Sequence, residues 1–188
     1  MTEPTKHSMQ RVPSAWITRY AHLVPSGARV LDVAAGGGRH ALFFVARGNR
    51  VVAVDRDEAA LAVYADPPRI ETRTADLETG AWPFPGETFD AIVVVNYLHR
   101  ASLAHLLATL APDGTLLYET FAAGNEAYGR PSNPNFLLRP GELLDAVRDR
   151  LTVVAFEQGV SSNRDSPAVI ERVAAVGPAR EWPPLLSP

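Results

Sequence analysis

The chain has 188 residues, 46% of them hydrophobic and 21% charged, with a net charge of −3 and no cysteine. That length suits one domain, 1–188, able to bury roughly 70% of its unfolded surface without a covalent staple. The absence of cysteine excludes disulfides, thiolate metal sites and cysteine nucleophiles, and the negative balance argues against a dedicated nucleic-acid binder, whose affinity rests on basic side chains meeting phosphates.

The first ten residues, "MTEPTKHSMQ", have no apolar core, so 1–11 reads as a disordered arm and not as a signal peptide. "SAWITRYAHLV" follows as a helix, with Ser14 as N-cap and Trp16, Ile17, Tyr20 and Leu23 near one face. "ARVLDVA" is a buried strand and "GRHALFFVAR" a helix that ends at Gly48, which tolerates the left-handed conformation. "RVVAVD" is the second strand, "DEAALAVYA" a helix capped by Asp57, and "RIETRTAD" a third, more polar strand suited to a sheet edge.

Beyond the turn-rich "GAWPFPGET", "FDAIVVVN" is a strand apolar on both faces, "RASLAHLLATLA" an amphipathic helix, "PDG" a turn and "TLLYETFA" the fifth strand. The segment "AAGNEAYGRPSNPNFLLR" shows no period, and a loop that long is commonly functional. It reads as a lid over a pocket, with Tyr128 and Arg130 to grip a ligand, or else as a plain surface loop. "PGELLDAVRDR" is a helix, "LTVVAFEQG" and "AVIERVAAVG" are two strands, and 178–188 is a proline-rich tail. The longest apolar runs, "ALFFVA" and "AIVVV", are too short to cross a bilayer, so no membrane partner and a cytoplasmic location are expected.

Strands alternating with helices imply an α/β, Rossmann-like fold: a mostly parallel sheet with helices on both faces. The last two strands lack a helix between them and should pair antiparallel at one edge. Ligands in such sheets bind at the carboxyl ends of the strands, where strand order reverses. "VLDVAAGGGRHA" lies at that place. Its turn, Ala34 to Gly38, is nearly bare, so a ligand can lie against main chain beside a helix N-terminus.

Three acids accompany the turn: Asp32 inside the first strand, Asp55 ending the second and Asp76 ending the third. Each step of about 20 residues is one strand plus one helix, so all three can reach one cleft. Asp55 can accept bonds from two ribose hydroxyls and Asp76 can meet an amino group on a base. Asp32, costly in an apolar strand unless paired, suits a ligand ammonium. Each also has a plainer reading: a helix cap, a strand-end acid, or a partner of backbone alone.

S-Adenosylmethionine carries an ammonium, a carboxylate, a ribose and an adenine but no phosphate. Here the sequence resembles the class I methyltransferases, of the type-11 kind, through "VLDVAAGGG", "VVAVD", "TADLE" and "WPFPGETFDAIVVVNYLH" in that order. The resemblance spans roughly Val30 to Phe121 and implies a seven-stranded sheet whose last strand is antiparallel. It places Gly36 and Gly38 beneath the methionine part of the cofactor, with Ala34, Arg39 and Arg56 also among the cofactor-binding residues. It sets Asp32 near the amino group, Asp55 on the ribose, Asp76 and Leu77 beside the adenine, and Asn96 close to the methyl group. Ala34 stands where the family has its first turn glycine, and its methyl fits if φ is negative. "GRHALFFVARG" is similar to the small-molecule branch that includes tellurite-resistance and thiopurine methyltransferases.

The resemblance therefore implies methyl transfer to a small molecule. Candidates beyond the fourth and fifth strands are Tyr97, His99 and Glu119. His99 is a base or a helix-start histidine. Glu119 is a base if unpaired, or a salt-bridge partner of an arginine such as Arg130. No metal site is expected, since His99 and His105 have no ligand spacing. Two other functions compete: a nicotinamide-dependent oxidoreductase, because "GGGRHA" also reads as Gly-x-Gly-x-x-Ala, and a non-catalytic cofactor-binding module, which Ala34 favours.

Overall fold

A computed structural model describes residues 12–64, 69–162 and 167–184. The expected arm 1–11, the Ala65 end of the third helix and the end of the tail, 185–188, lie outside the described residues.

Helix α1 (Ala15–Tyr20) starts because the Ser14 hydroxyl accepts the Trp16 amide at 3.1 Å, and it buries Trp16, Ile17 and Tyr20. A 3-10 turn (Ala21–Leu23) leads to β1 (Arg29–Val33), then α2 (Arg39–Ala46), β2 (Arg50–Asp55), α3 (Glu58–Ala62) and β3 (Ile70–Thr74). The second half runs β4 (Phe89–Val95), α4 (Leu103–Ala108), β5 (Leu110–Phe121), α5 (Glu142–Val147), β6 (Thr152–Ser161) and β7 (Ala168–Val176).

The seven strands form one sheet in the order β3-β2-β1-β4-β5-β7-β6. β1 to β5 pair in parallel, and β7 pairs antiparallel with both β5 and β6. Polar β3 is an edge, as its alternation implies, and strand order reverses between β1 and β4, where the bare turn lies. Apolar β4 feeds two cores. Ala91 and Val93 pack with Trp16, Ile17, Phe44 and Leu61 on the α1–α3 face, while Ile92 and Val94 pack with Leu31, Leu106, Leu143 and Val147 on the α4–α5 face.

Three sequence expectations are corrected. The helix before the fifth strand stops at Ala108, and "PDG" belongs to β5, where Ala111–Gly114 stand opposite Asp90 alone in a register shift against β4. Helix α3 ends at Ala62, so Tyr64 turns away from the helix path. The segment 122–139 is a braced wall and not a structureless lid: Ala122 bridges to Leu138, and short helical turns form at Asn125–Ala127 and Pro134–Phe136. Buried Asn125 donates to Pro131 O (2.9 Å) and accepts from Val169 N (3.1 Å). Arg100 donates to Asn135 O (2.9 Å) and Leu137 O (2.8 Å) while paired with Glu142 at 2.6 Å. Such a wall keeps its shape because side chains satisfy its carbonyls at Pro131, Asn135 and Leu137.

Candidate functional site

The turn after β1 is held to the sheet by the Ala35 amide, which donates to Val54 O at 3.0 Å. Its residues alternate into the left-handed region: Ala34 at φ 52°, Gly36 at 51° and Gly38 at 74°. Ala34 thus lacks the negative φ under which its methyl would fit freely, and the methyl costs about 1–2 kcal/mol that glycine would avoid. The glycines serve different ends. A Cβ built on Gly36 meets nothing within 4 Å, so its face is open, whereas one on Gly38 falls 2.5 Å from the Tyr64 ring. The Tyr64 hydroxyl donates to Gly36 O at 2.9 Å. The Tyr64 ring leaves no room for a side chain at Gly38.

The three acids sit at the carboxyl ends of adjacent strands β1, β2 and β3. Asp32 is 1% exposed, and its Oδ2 has no hydrogen-bond partner among the described residues. Burial pushes its carboxyl up to about 7, with Asp55 adding to the rise and the Ala41 amide and the Arg39 charge opposing it. A lone buried carboxylate oxygen is a costly feature that a ligand cation would relieve. Asp55 accepts from the Gly36 amide (2.8 Å, Oδ2) and the Asp57 amide (2.9 Å, Oδ1), tying turn to strand while each oxygen keeps a lone pair. Asp76 is exposed and closes its own turn, accepting from Glu78 N (2.9 Å) and Thr79 Oγ1 (2.7 Å). Those bonds, that from the Glu78 amide first, hold its carboxyl below the usual range. Leu77 is buried in the α4–α5 core.

Across the cleft, Asn96 follows β4 at φ 60° and its amide donates to Glu119 O at 2.9 Å. Tyr97 has its phenol pushed up to about 12, by burial and then by Glu78. Ser102, its neighbour, donates instead to His99 O at 3.1 Å, and Tyr97 Oη has no hydrogen-bond partner among the described residues. The His99 ring lies 3.1 Å from the Ser102 hydroxyl, in the helix-start role. Asn96, Tyr97 and Glu78 line a cleft of about 210 Å³ with Leu98, Thr120, Phe121, Pro131 and Phe136. Tyr128 and Arg130 are exposed and outside that lining; the same wall presents Pro131 and Phe136 instead.

Glu119 is not an unpaired base. It is buried, accepts from the Ser14 hydroxyl at 3.1 Å and pairs with Arg172 at 3.2 Å, the residue opposite it in the β5–β7 register. Arg172, not Arg130, is the arginine. Ser14 also donates its amide to His40 Nε2 at 3.2 Å, so the chain before α1 is fastened over the start of α2. Burial, helped by the Arg39 charge, brings His40 down to about 3, which keeps it neutral and able to accept. Arg39 itself reaches Val12 O at 3.5 Å.

Sequence reasoning missed Tyr64, His40, Glu78, Thr120 and Arg172. His40 carried a signal, being in the first turn after the glycines. Arg172 carried none short of the strand register. Among the described residues, no group of three or more His, Asp or Glu is placed to hold a metal ion, and no helix is long and apolar enough to cross a membrane.

Residues 30–114 match the family model described as a methyltransferase domain. A ubiquinone biosynthesis O-methyltransferase of Azotobacter vinelandii is 30% identical over 132 residues, 65% of this chain and 56% of that one. This chain therefore spans little more than half the length of that curated relative. Among solved structures, TehB from Haemophilus influenzae superposes with a TM-score of 0.73 at 17% identity, over 88% of this chain and 62% of that one. The N-methyltransferase NodS from Bradyrhizobium japonicum WM9, in complex with S-adenosyl-L-homocysteine, superposes with a TM-score of 0.60 at 17% identity, over 86% of this chain and 85% of that one. These likenesses show the fold of the class I methyltransferases.

Proposed function

We propose that this chain, which carries a methyltransferase domain in a class I methyltransferase fold, moves a methyl group from S-adenosylmethionine to a small molecule in the cytoplasm. The observation that carries the reading is Asp32, a buried acid with an unsatisfied oxygen beside an open glycine turn. An ammonium is the group that removes its desolvation cost, and a phosphate-bearing dinucleotide would be repelled by it. The residues present fit the cofactor: Asp32 for its amino group, Gly36 for close approach of its methionine part, Asp55 for its ribose, and Asp76 for its adenine.

When bound, the cofactor would supply an electrophilic methyl carbon on its sulfonium sulfur, for an acceptor lone pair to displace. The chain's work is position. The turn and Asp55 would hold the adenosyl part, and Asn96, which lines the cleft at the end of β4, would meet it there. Tyr97, Thr120 and the wall at Pro131 and Phe136 hold the acceptor against it. Ser14, pinned by His40 and Glu119, closes the α2 side against water. His99 and Glu119, being committed to local partners, serve the architecture. The small cleft between strand ends favours a small acceptor over a nucleic acid.

Thermal unfolding with S-adenosylhomocysteine at about 100 times its Kd should show roughly 2.7 kcal/mol of added stability, and NADH at the same concentration should add nothing. A shift with NADH alone would replace this reading with the oxidoreductase one.

A further inference from the structure

The acceptor cleft has a chemical character of its own. Its lining includes Tyr97, Phe121 and Phe136, with Pro131 and Leu98, and one acid, Glu78. Phe136 keeps 45% of its surface exposed on the braced wall, an apolar ring held toward solvent. Arg100, by bonding Asn135 O and Leu137 O, holds the main chain on both sides of that ring. The charges that act on Tyr97 are Glu78, Asp76 and Arg56, two acids against one base. Aromatic faces attract a cation through their quadrupole, and an acid at the same place adds a charge for it to pair with. A carboxylate-bearing acceptor would meet Glu78 and Asp76 with like charge.

Resting on the methyltransferase reading above, we propose that the acceptor is an arylalkyl amine, its ring taken up between Tyr97, Phe121 and Phe136 and its side-chain ammonium toward Glu78. Before the nitrogen's lone pair is free to react, the ammonium must lose one proton. A carboxylate is a far weaker base than an alkyl amine, so the proton goes to water at the exposed Glu78 side of the cleft, and Glu78 only holds the cation. The β3–β4 connection, which Asp76 shapes by accepting from Glu78 N and Thr79, thus brings acid to the acceptor side as well as to the cofactor side.

Calorimetry on the protein saturated with S-adenosylhomocysteine tests this with three probes of one shape: 2-phenylethylamine, 2-phenylethanol and 3-phenylpropionate. The amine should bind about fivefold more tightly than the alcohol and at least about tenfold more tightly than the carboxylate, the scale of an exposed ion pair gained and then reversed. Glu78→Gln should bring amine and alcohol within about twofold, and Glu78→Lys should turn the preference toward the carboxylate. The wild-type ratios decide the matter alone if either variant fails to fold. Equal or tighter binding of the alcohol or carboxylate, no binding of the amine, or a ratio unmoved in a folded Glu78→Gln protein overturns the assignment. Failure of S-adenosylhomocysteine itself to bind would instead remove the methyltransferase reading, and this assignment with it.

Discussion

Replacing Asp32 with asparagine should make the protein more stable and less able to bind its cofactor. The carboxyl is fully buried and raised from 3.8 to about 7. In the window between those values the folded protein keeps a proton that the unfolded chain has released. Stability therefore falls as pH rises through the window, and the loss is complete above the folded value. A rise of roughly 3 units corresponds to about 4 kcal/mol, an upper bound. Asparagine imitates the protonated form and does not titrate. Asp32→Asn should match wild type near pH 4 and exceed it at pH 8 by up to about 4 kcal/mol in urea unfolding. The same variant should bind S-adenosylhomocysteine about 1.5–3 kcal/mol more weakly, the value of a hydrogen bond to a charged group. A variant that is less stable than wild type at pH 8, or that binds with unchanged affinity, would refute the reasoning.

His40 titrates in the opposite sense. Its value falls from 6.5 to about 3 on folding, so the unfolded chain takes up the proton first and stability is lost as pH drops below 6.5. In the Asp32→Asn background, where the competing carboxyl is gone, stability should fall by about 2–3 kcal/mol between pH 6.5 and 4.5, and His40→Gln should flatten that slope. Gly38→Ala should destabilise by at least about 1 kcal/mol more than Gly36→Ala, since both suffer the left-handed φ but only Gly38 meets the Tyr64 ring at 2.5 Å. Equal losses in thermal unfolding would show that Tyr64 does not set the demand. Glu119→Gln should cost about 1–3 kcal/mol of stability through the weakened bonds to Ser14 and Arg172. Its turnover per folded molecule should stay near wild type; a large fall in turnover at full stability would restore Glu119 as a base.

The parts of the site that were legible in the sequence are those that depend on local spacing. One strand and one helix separate Asp32 from Asp55 and Asp55 from Asp76, so their placement at neighbouring strand ends follows from periodicity and right-handed crossovers. Glu119 was legible only as a buried acid. Its partner Arg172 is 53 residues away, and the pairing exists because β7 inserts between β5 and β6, a choice set by the whole sheet. Tyr64 was hidden by a helix that stops early: periodicity carried α3 past Ala62, and the chain instead turns the ring onto Gly38. The wall at 122–139 was opaque because Asn125 and Arg100 brace it through backbone carbonyls, which leave no periodic trace. Ala34 shows the limit of a steric rule, since the turn's geometry imposes a positive φ and the residue bears the strain.

A crystal structure of the protein with S-adenosylhomocysteine tests the account most directly. The amino group should lie about 2.7–3.2 Å from Asp32 Oδ2, with the ribose hydroxyls on Asp55 and the sulfur facing the cleft that Asn96 and Tyr97 line. A ligand bound elsewhere, or one that leaves Asp32 without a partner, would contradict it.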